Sequence, residues 1–181
     1  GDRMALSGSI EGSIHSGHYK LRISWSATQN ISNNTSTITA RLYLVQAANW
    51  SLSINTRSNT CSIAGVATAF TSPKISNNGG STTLLGTVSR TVNHADNGTR
   101  NVAISATFNI NATISGTKYN SITASATVTL DTIPRVSSFS LSASTVVLGN
   151  AITISIARQS SSFTHRIKYS WGQQGGTIAT G

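Results

Sequence analysis

The chain has 181 residues, with 13 lysines and arginines against 4 acids, a formal charge of +9. Only 9% of its residues are charged, against about 25% in an average soluble domain, and Ser, Thr and Asn number 30, 25 and 15. With Asp2, Glu11, Asp96 and Asp131 as its acids, a carboxylate-built calcium site and a glycosidase carboxylate pair are both disfavoured.

Ile, Val and Thr together number 52, and β-branched residues suit pleated strands. Leu21, Ile23, Trp25 and Ala27 alternate with Lys20, Arg22, Ser24 and Ser26, which predicts a strand with one apolar and one wet face. Asn30 to Asn34 is a polar break. Ile38, Ala40, Leu42 and Leu44 then resume the period, with Thr39, Arg41 and Tyr43 opposite. The pattern weakens over 50–75, where Trp50 to Ile54 and Cys61 to Phe70 fit either strands or a decorated loop. Asn77-Asn78-Gly79-Gly80 and Asp96-Asn97-Gly98 predict turns, the second with the Asp96 carboxylate bonded to its own backbone. Val102, Ile104, Ala106, Phe108, Ile110, Ala112 and Ile114 give the longest alternating run. Gly116 then marks a hairpin connection, and Ile122, Ala124, Ala126, Val128 and Leu130 form the strand that follows. The class is all-β, an antiparallel β-sandwich over residues 1–131.

A proline-containing joint is expected at 132–136, because Pro134 fixes its own φ and drives Ile133 into extended space. Beyond it the alternation restarts with Phe139 and Leu141, then Ile152, Ile154 and Ile156. Phe163, His165, Ile167, Tyr169 and Trp171 complete it, with a turn at Val147 to Asn150. Residues 137–181 therefore read as the start of an immunoglobulin-like β-sandwich with Trp171 as its buried tryptophan. Three or four strands, where about seven are usual, imply that this second domain continues past residue 181.

The chemistry-bearing residues are sparse. A lone Cys61 excludes an internal disulfide and reads as a small buried hydrophobe. His15 and His18, three apart with only Glu11 nearby, fall short of a zinc ligand set. His94 and Asp96 sit in so good a turn that a structural role is expected. No nucleophile elbow, phosphate loop or triad signature is present, so no enzyme and no cofactor is expected. The basic residues form only the Lys20/Arg22 and Arg166/Lys168 pairs, without a recognition motif, so no nucleic-acid partner is expected. No apolar run approaches the roughly 20 residues of a membrane span, so no membrane insertion is expected. A spread positive surface suits an anionic bacterial wall.

Several strings carry a family resemblance: Tyr19-Lys-Leu-Arg-Ile-Ser-Trp-Ser, Asn-Asn-Thr-Ser-Thr-Ile-Thr-Ala-Arg-Leu-Tyr-Leu at 33–44, and Asn49-Trp50-Ser51. Leu85-Gly86, His94-Ala-Asp-Asn-Gly98, Ser105-Ala-Thr-Phe and Thr129-Leu-Asp-Thr-Ile-Pro-Arg135 extend it. Over about residues 5–135 the chain resembles a β-sandwich module of siphophage tail proteins from phages of Gram-positive bacteria, of streptococcal and lactococcal type. The resemblance implies a non-catalytic tail-tip or baseplate structural module located in the virion. Its implied partners are other tail and baseplate proteins and the host cell-wall polysaccharide. Monomer and homotrimer are both open. The competing class is a carbohydrate-binding or adhesin module of a bacterial surface protein, whose sandwich would look the same.

If sugar is bound, exposed rings are the platforms, because pyranose C–H faces stack on them. Trp25 continues the Leu21/Ile23 face and is expected in the core. Trp50, at a strand start beside irregular chain that can frame a shallow groove, is the first binding candidate. Tyr43 and Arg41 share an outward strand face and come next, Arg41 as a planar fork for a hydroxyl or phosphate.

Overall fold

The structure, a computed structural model, describes residues 3–143, 147, 149–158, 165–171 and 174–180. Strands β1 (Ser7–Ile14), β2 (Tyr19–Asn30), β3 (Thr35–Gln46), β4 (Leu52–Ile54), β5 (Arg57–Ile63), β6 (Val66–Ser72), β7 (Ile75–Asn77) and β8 (Thr82–Asn93) come first. They are followed by β9 (Asn101–Phe108), β10 (Ala112–Ile114), β11 (Thr117–Tyr119) and β12 (Ile122–Thr129). The sheets β1-β2-β3-β8 and β12-β9-β5-β6 are antiparallel and face each other, and the pairs β4-β7 and β10-β11 complete the unit. The sandwich expected from the sequence is present.

The period-two faces set the packing. Leu21, Ile23 and Trp25 of β2 meet Leu42 and Leu44 of β3 inside the sandwich, with Ile104 and Phe108 of β9 in the same core. Burial at about 25 cal/mol per Å² of apolar surface is the main force holding the sheets together. The outward positions carry the hydroxyls that dominate the composition. Thr37 bonds Thr91 at 2.8 Å and Thr39 bonds Ser89 at 2.9 Å across β3 and β8. Along β3 and β8 uncharged hydroxyls thus supply much of the outer polarity.

Three features depart from simple alternation. A bulge opposite Leu42/Tyr43 shifts the phase of β8, so Leu85 and Val88, three residues apart, both point inward. Arg90 shares the phase of Val88 and Val92, and its guanidinium donates to the Ile63 and Ala64 carbonyls at 2.7 Å each. The long run from Val102 to Ile114 is also broken. Strand β9 ends at Phe108, where Asn109 N–H donates to the Asn59 Oδ1, and Asn111 takes a φ of 44°. Gly116 therefore closes the small β10-β11 hairpin, while β9 pairs with β12 directly. The 50–75 stretch, read as strands or loop, forms β4 to β6 and the start of β7.

One seam of the sandwich is stitched by backbone. Ala5 N–H donates to Thr129 O at 3.0 Å and Asp131 N–H donates to Ala5 O at 3.1 Å, around a parallel bridge between Ala5 and Leu130. A Cβ on Gly12 of β1 would lie 1.7 Å from the Thr123 carbonyl oxygen of β12, so only glycine lets these strands approach. At the opposite seam Phe70 of β6 lies over Gly86 of β8. Among the described residues no backbone hydrogen bond joins those two strands.

Past β12, Leu130 N–H donates to Arg100 O and Ile133 N–H to Gly98 O, and Ile133 is fully buried. Farther on, β13 (Ser138–Leu141) pairs with β14 (Ile154–Ala157), and β15 (His165–Trp171) with β16 (Gln174–Thr180). Asn150 N–H donates to Val147 O in the turn read there. Phe163 and the side chain of Trp171 lie outside the described residues.

Candidate functional site

The sequence puts Trp50 after Asn49, and the structure shows why that loop holds one shape. Trp50 N–H donates to Ala47 O, and Gln46 Nε2 donates both to Trp50 O and to Asn77 Oδ1, at 2.9 Å each. Asn77 Nδ2 returns a bond to Gln46 Oε1 at 3.0 Å. Gly79, with φ +92°, lies so close that a Cβ there would sit 2.5 Å from Trp50 N. The turn at 77–80 is therefore the clamp that holds the Trp50 segment.

Rings fix the indole itself. His18 stacks on it with centroids 4.2 Å apart and planes 17° from parallel. His15 and Tyr19 meet it edge-on at 4.9 and 6.2 Å. His15 Nδ1 lies 2.8 Å from the Tyr119 hydroxyl, which links the β1-β2 turn to the β10-β11 hairpin. The His-x-x-His spacing thus brings both imidazoles onto Trp50.

Trp50 is half-buried and lines a cleft of about 520 Å³ at the end of the sandwich. One wall is the 49–54 segment and the other is 111–115 of the β10-β11 hairpin, with Tyr19 and Arg57 between. Tyr19 is buried, and its hydroxyl donates to Ser51 O at 2.5 Å. Burial pushes its phenol above the ordinary value, which keeps that proton in place. Arg57 is the charged residue of the lining. It donates to the carbonyls of Ile110, Asn55, Thr56 and Asn111 at 3.1–3.4 Å, so it braces the floor as well as charging it. Asn49, Ser51, Ser53, Asn111, Thr113 and Ser115 line the cleft, and their side chains make no hydrogen bond to any described residue. Asn49, Asn111 and Ser115 have positive φ values of 68°, 44° and 46°, and such strain concentrates at ligand clamps. An aromatic ring beside uncommitted hydroxyls and amides can hold a polar ring compound and fix its orientation.

Arg41 and Tyr43 are elsewhere. They share the outer face of β3, Arg41 exposed and Tyr43 half-buried, and neither lines the cleft. Tyr43 stands opposite Arg22 and Leu84, and Arg41 opposite Ser24 and Thr87. Beside them Glu11 accepts from Arg22 Nε at 2.7 Å and lies 3.8 Å from Lys20 Nζ. The Arg22 hydrogen bond holds the Glu11 carboxyl below the ordinary carboxylate value. The structure therefore pairs Arg41 with Tyr43 and separates both from Trp50.

His94 is buried, with Nδ1 2.6 Å from Gly98 O and Nε2 2.6 Å from Ser36 Oγ. The carbonyl can only accept, so Nδ1 carries a proton. The adjoining turn is held by the Asn97 amide, whose Oδ1 accepts from the N–H and hydroxyl of Thr99. That corrects the expectation of an Asp96 carboxylate in this role. Trp25 lies in the core as expected. Arg57 and the 111–115 wall were not foreseen as site residues. The strongest sign of the wall in the sequence is the Asn111 and Ser115-Gly116 turn chemistry.

Over residues 13–181 the chain matches the family described as a siphovirus protein of unknown function, DUF859. Comparisons with curated proteins and with solved structures return no match. The chain is a siphovirus protein and belongs to the DUF859 family.

Proposed function

We propose that the chain is a non-catalytic structural module of the siphophage virion, placed at the tail tip or baseplate among other tail proteins. In this reading it meets the cell-wall saccharide of a Gram-positive host through the end cleft. The observation that carries it is the cleft itself: Trp50, held by its ring contacts, lines it together with six residues whose hydroxyl or amide side chains make no hydrogen bond to a described residue. Family membership supports the virion setting. The hydrogen-bonding groups recognise sugar hydroxyls, while Trp50 offers apolar surface to a pyranose face. Arg41, exposed and without a hydrogen-bond or ion-pair partner among the described residues, offers a second contact for wall phosphate, drawn in by the net positive charge.

The test is binding of the labelled chain to whole Gram-positive cells, with purified wall polysaccharide as competitor. The reading expects cell binding that polysaccharide competes away and that EDTA leaves unchanged. Absence of cell binding, or binding that polysaccharide does not displace, sinks the saccharide part and leaves a spacer.

A further inference from the structure

The charges around the end cleft are of one sign. Arg57 is half-buried in its lining, and no carboxylate joins it there. On the hairpin wall, Lys118 of β11 stands opposite Thr113 of β10. Directly opposed side chains share a face, with Cβ atoms about 5 Å apart, so Lys118 flanks the place where Thr113 lines the cleft. Lys118 is exposed and has no hydrogen-bond or ion-pair partner among the described residues.

The acids of the described residues leave both cations uncompensated. Glu11 is taken up by Arg22 and Lys20. Asp131 O accepts from Gln29 Nε2, and Asp96 follows closely on His94, whose N–H donates to Asn34 O. Both acids therefore lie by the end of the β2-β3 ladder where Asn30 pairs with Thr35. Tyr19, in the cleft lining, pairs with Gln46 at the other end. Those ends are roughly 35 Å apart at about 3.4 Å per residue, several times the Debye length of about 8 Å at physiological ionic strength.

The Arg57 fork is held without being neutralised. Its Nε donor goes to Ile110 O, its two Nη1 donors to Asn55 O and Thr56 O, and one Nη2 donor to Asn111 O. These carbonyls carry no net charge. The second Nη2 donor meets no described partner. We infer that the cleft takes an anionic saccharide, a sugar unit bearing phosphate or carboxylate. Its negative oxygen lies on the spare Arg57 donor, in the field of Lys118. This rests on the saccharide reading of the cleft and adds the charge that the sugar must carry. A hydrogen bond to an ionised acceptor is roughly twice as strong as one between neutral groups, and a half-buried charge is screened less than an exposed one. Trp50 and the hydroxyls accept a sugar ring as such, while the two cations discriminate among sugars.

The test is calorimetric titration of the full chain with purified Gram-positive wall polysaccharide, separated by anion exchange into anionic and neutral fractions. The anionic fraction should bind about tenfold more tightly than the neutral one. Removing its phosphate with hydrofluoric acid, or reducing its carboxyls after carbodiimide activation, tells the two sources of charge apart. One of the treatments should bring the affinity down to the neutral level. Because Arg57 also braces backbone carbonyls, its charge is opposed rather than deleted. Thr113→Asp should weaken the anionic fraction, and Thr113→Asn, of the same size but neutral, should weaken it less. Lys118→Gln should weaken it about threefold. Arg166→Gln, which removes one charge from an exposed site on β15, should not. Equal affinity for the two fractions, no effect of either treatment, or equal effects of Thr113→Asp and Thr113→Asn overturns the inference and leaves the saccharide reading standing. Equal losses in Lys118→Gln and Arg166→Gln overturn it too, because the net charge of the chain then suffices. Binding of neither fraction removes the saccharide reading, and this inference with it.

Discussion

The indole of Trp50 lies almost parallel to the imidazole of His18, 4.2 Å away, while His18 is not part of the cleft wall that Trp50 helps to form. One ring thus sets the orientation of the other from outside the site. His18→Ala is expected to remove about 0.5–1.5 kcal/mol of stacking. It should weaken saccharide binding while leaving the fold cooperative. Comparison of the thermal transition with saccharide affinity checks this, and unchanged affinity would mean the stack plays no positioning role.

Gly79 tests the clamp from the other side. Alanine there must accept a φ of +92° and a Cβ 2.5 Å from Trp50 N, so the 47–51 segment has to move. Gly79→Ala should cost about 1–3 kcal/mol of stability and should lower saccharide binding as well. Chemical denaturation with a tryptophan fluorescence readout measures the first effect. A variant as stable as wild type would show that the turn does not hold Trp50.

The core faces give a plainer expectation. Phe108 is fully buried between the sheets, and Phe108→Ala should cost about 3–5 kcal/mol. Urea denaturation decides it, and a loss below about 1 kcal/mol would contradict the packing described.

Cys61 carries a pH signature. Burial pushes its thiol up to about 11 from an ordinary value near 9, so the fold favours the neutral form. Its contribution to stability is full below about pH 9 and fades as the pH rises toward 11. The thiol should resist alkylation at pH 8 in the native state and react at once on unfolding. Cys61→Ser should remove the alkaline contribution. Rapid native-state labelling at pH 8 would place Cys61 at the surface.

Much of the sandwich is legible in the sequence because β2, β3 and β9 each bury one face and wet the other. The break at 109–111 is hidden because Phe108, Ile110 and Ile114 are all buried. Their even spacing survives the loop, so the run looks continuous. Strand β6 is hard to read for the opposite reason: exposed on both faces from Val66 to Ala69, it has little alternation there. The inward Arg90 follows from the carbonyls of a turn 26 and 27 residues away, which no local pattern reports. Trp50 could be singled out as a ring just ahead of a strand, although the 55–75 stretch expected to frame its groove forms the regular strands β5 and β6 instead. The opposite cleft wall could not, because β10-β11 reaches it only through tertiary contact.

The most direct measurement is calorimetric titration of the chain with soluble host-wall polysaccharide, comparing wild type, Thr113→Arg and Trp50→Ala. Thr113 is exposed and lines the cleft, so arginine there fills the site without entering the core. The account predicts saturable binding by wild type and none by either variant, with the thermal transition of Thr113→Arg unchanged. Wild-type affinity in Thr113→Arg would contradict it.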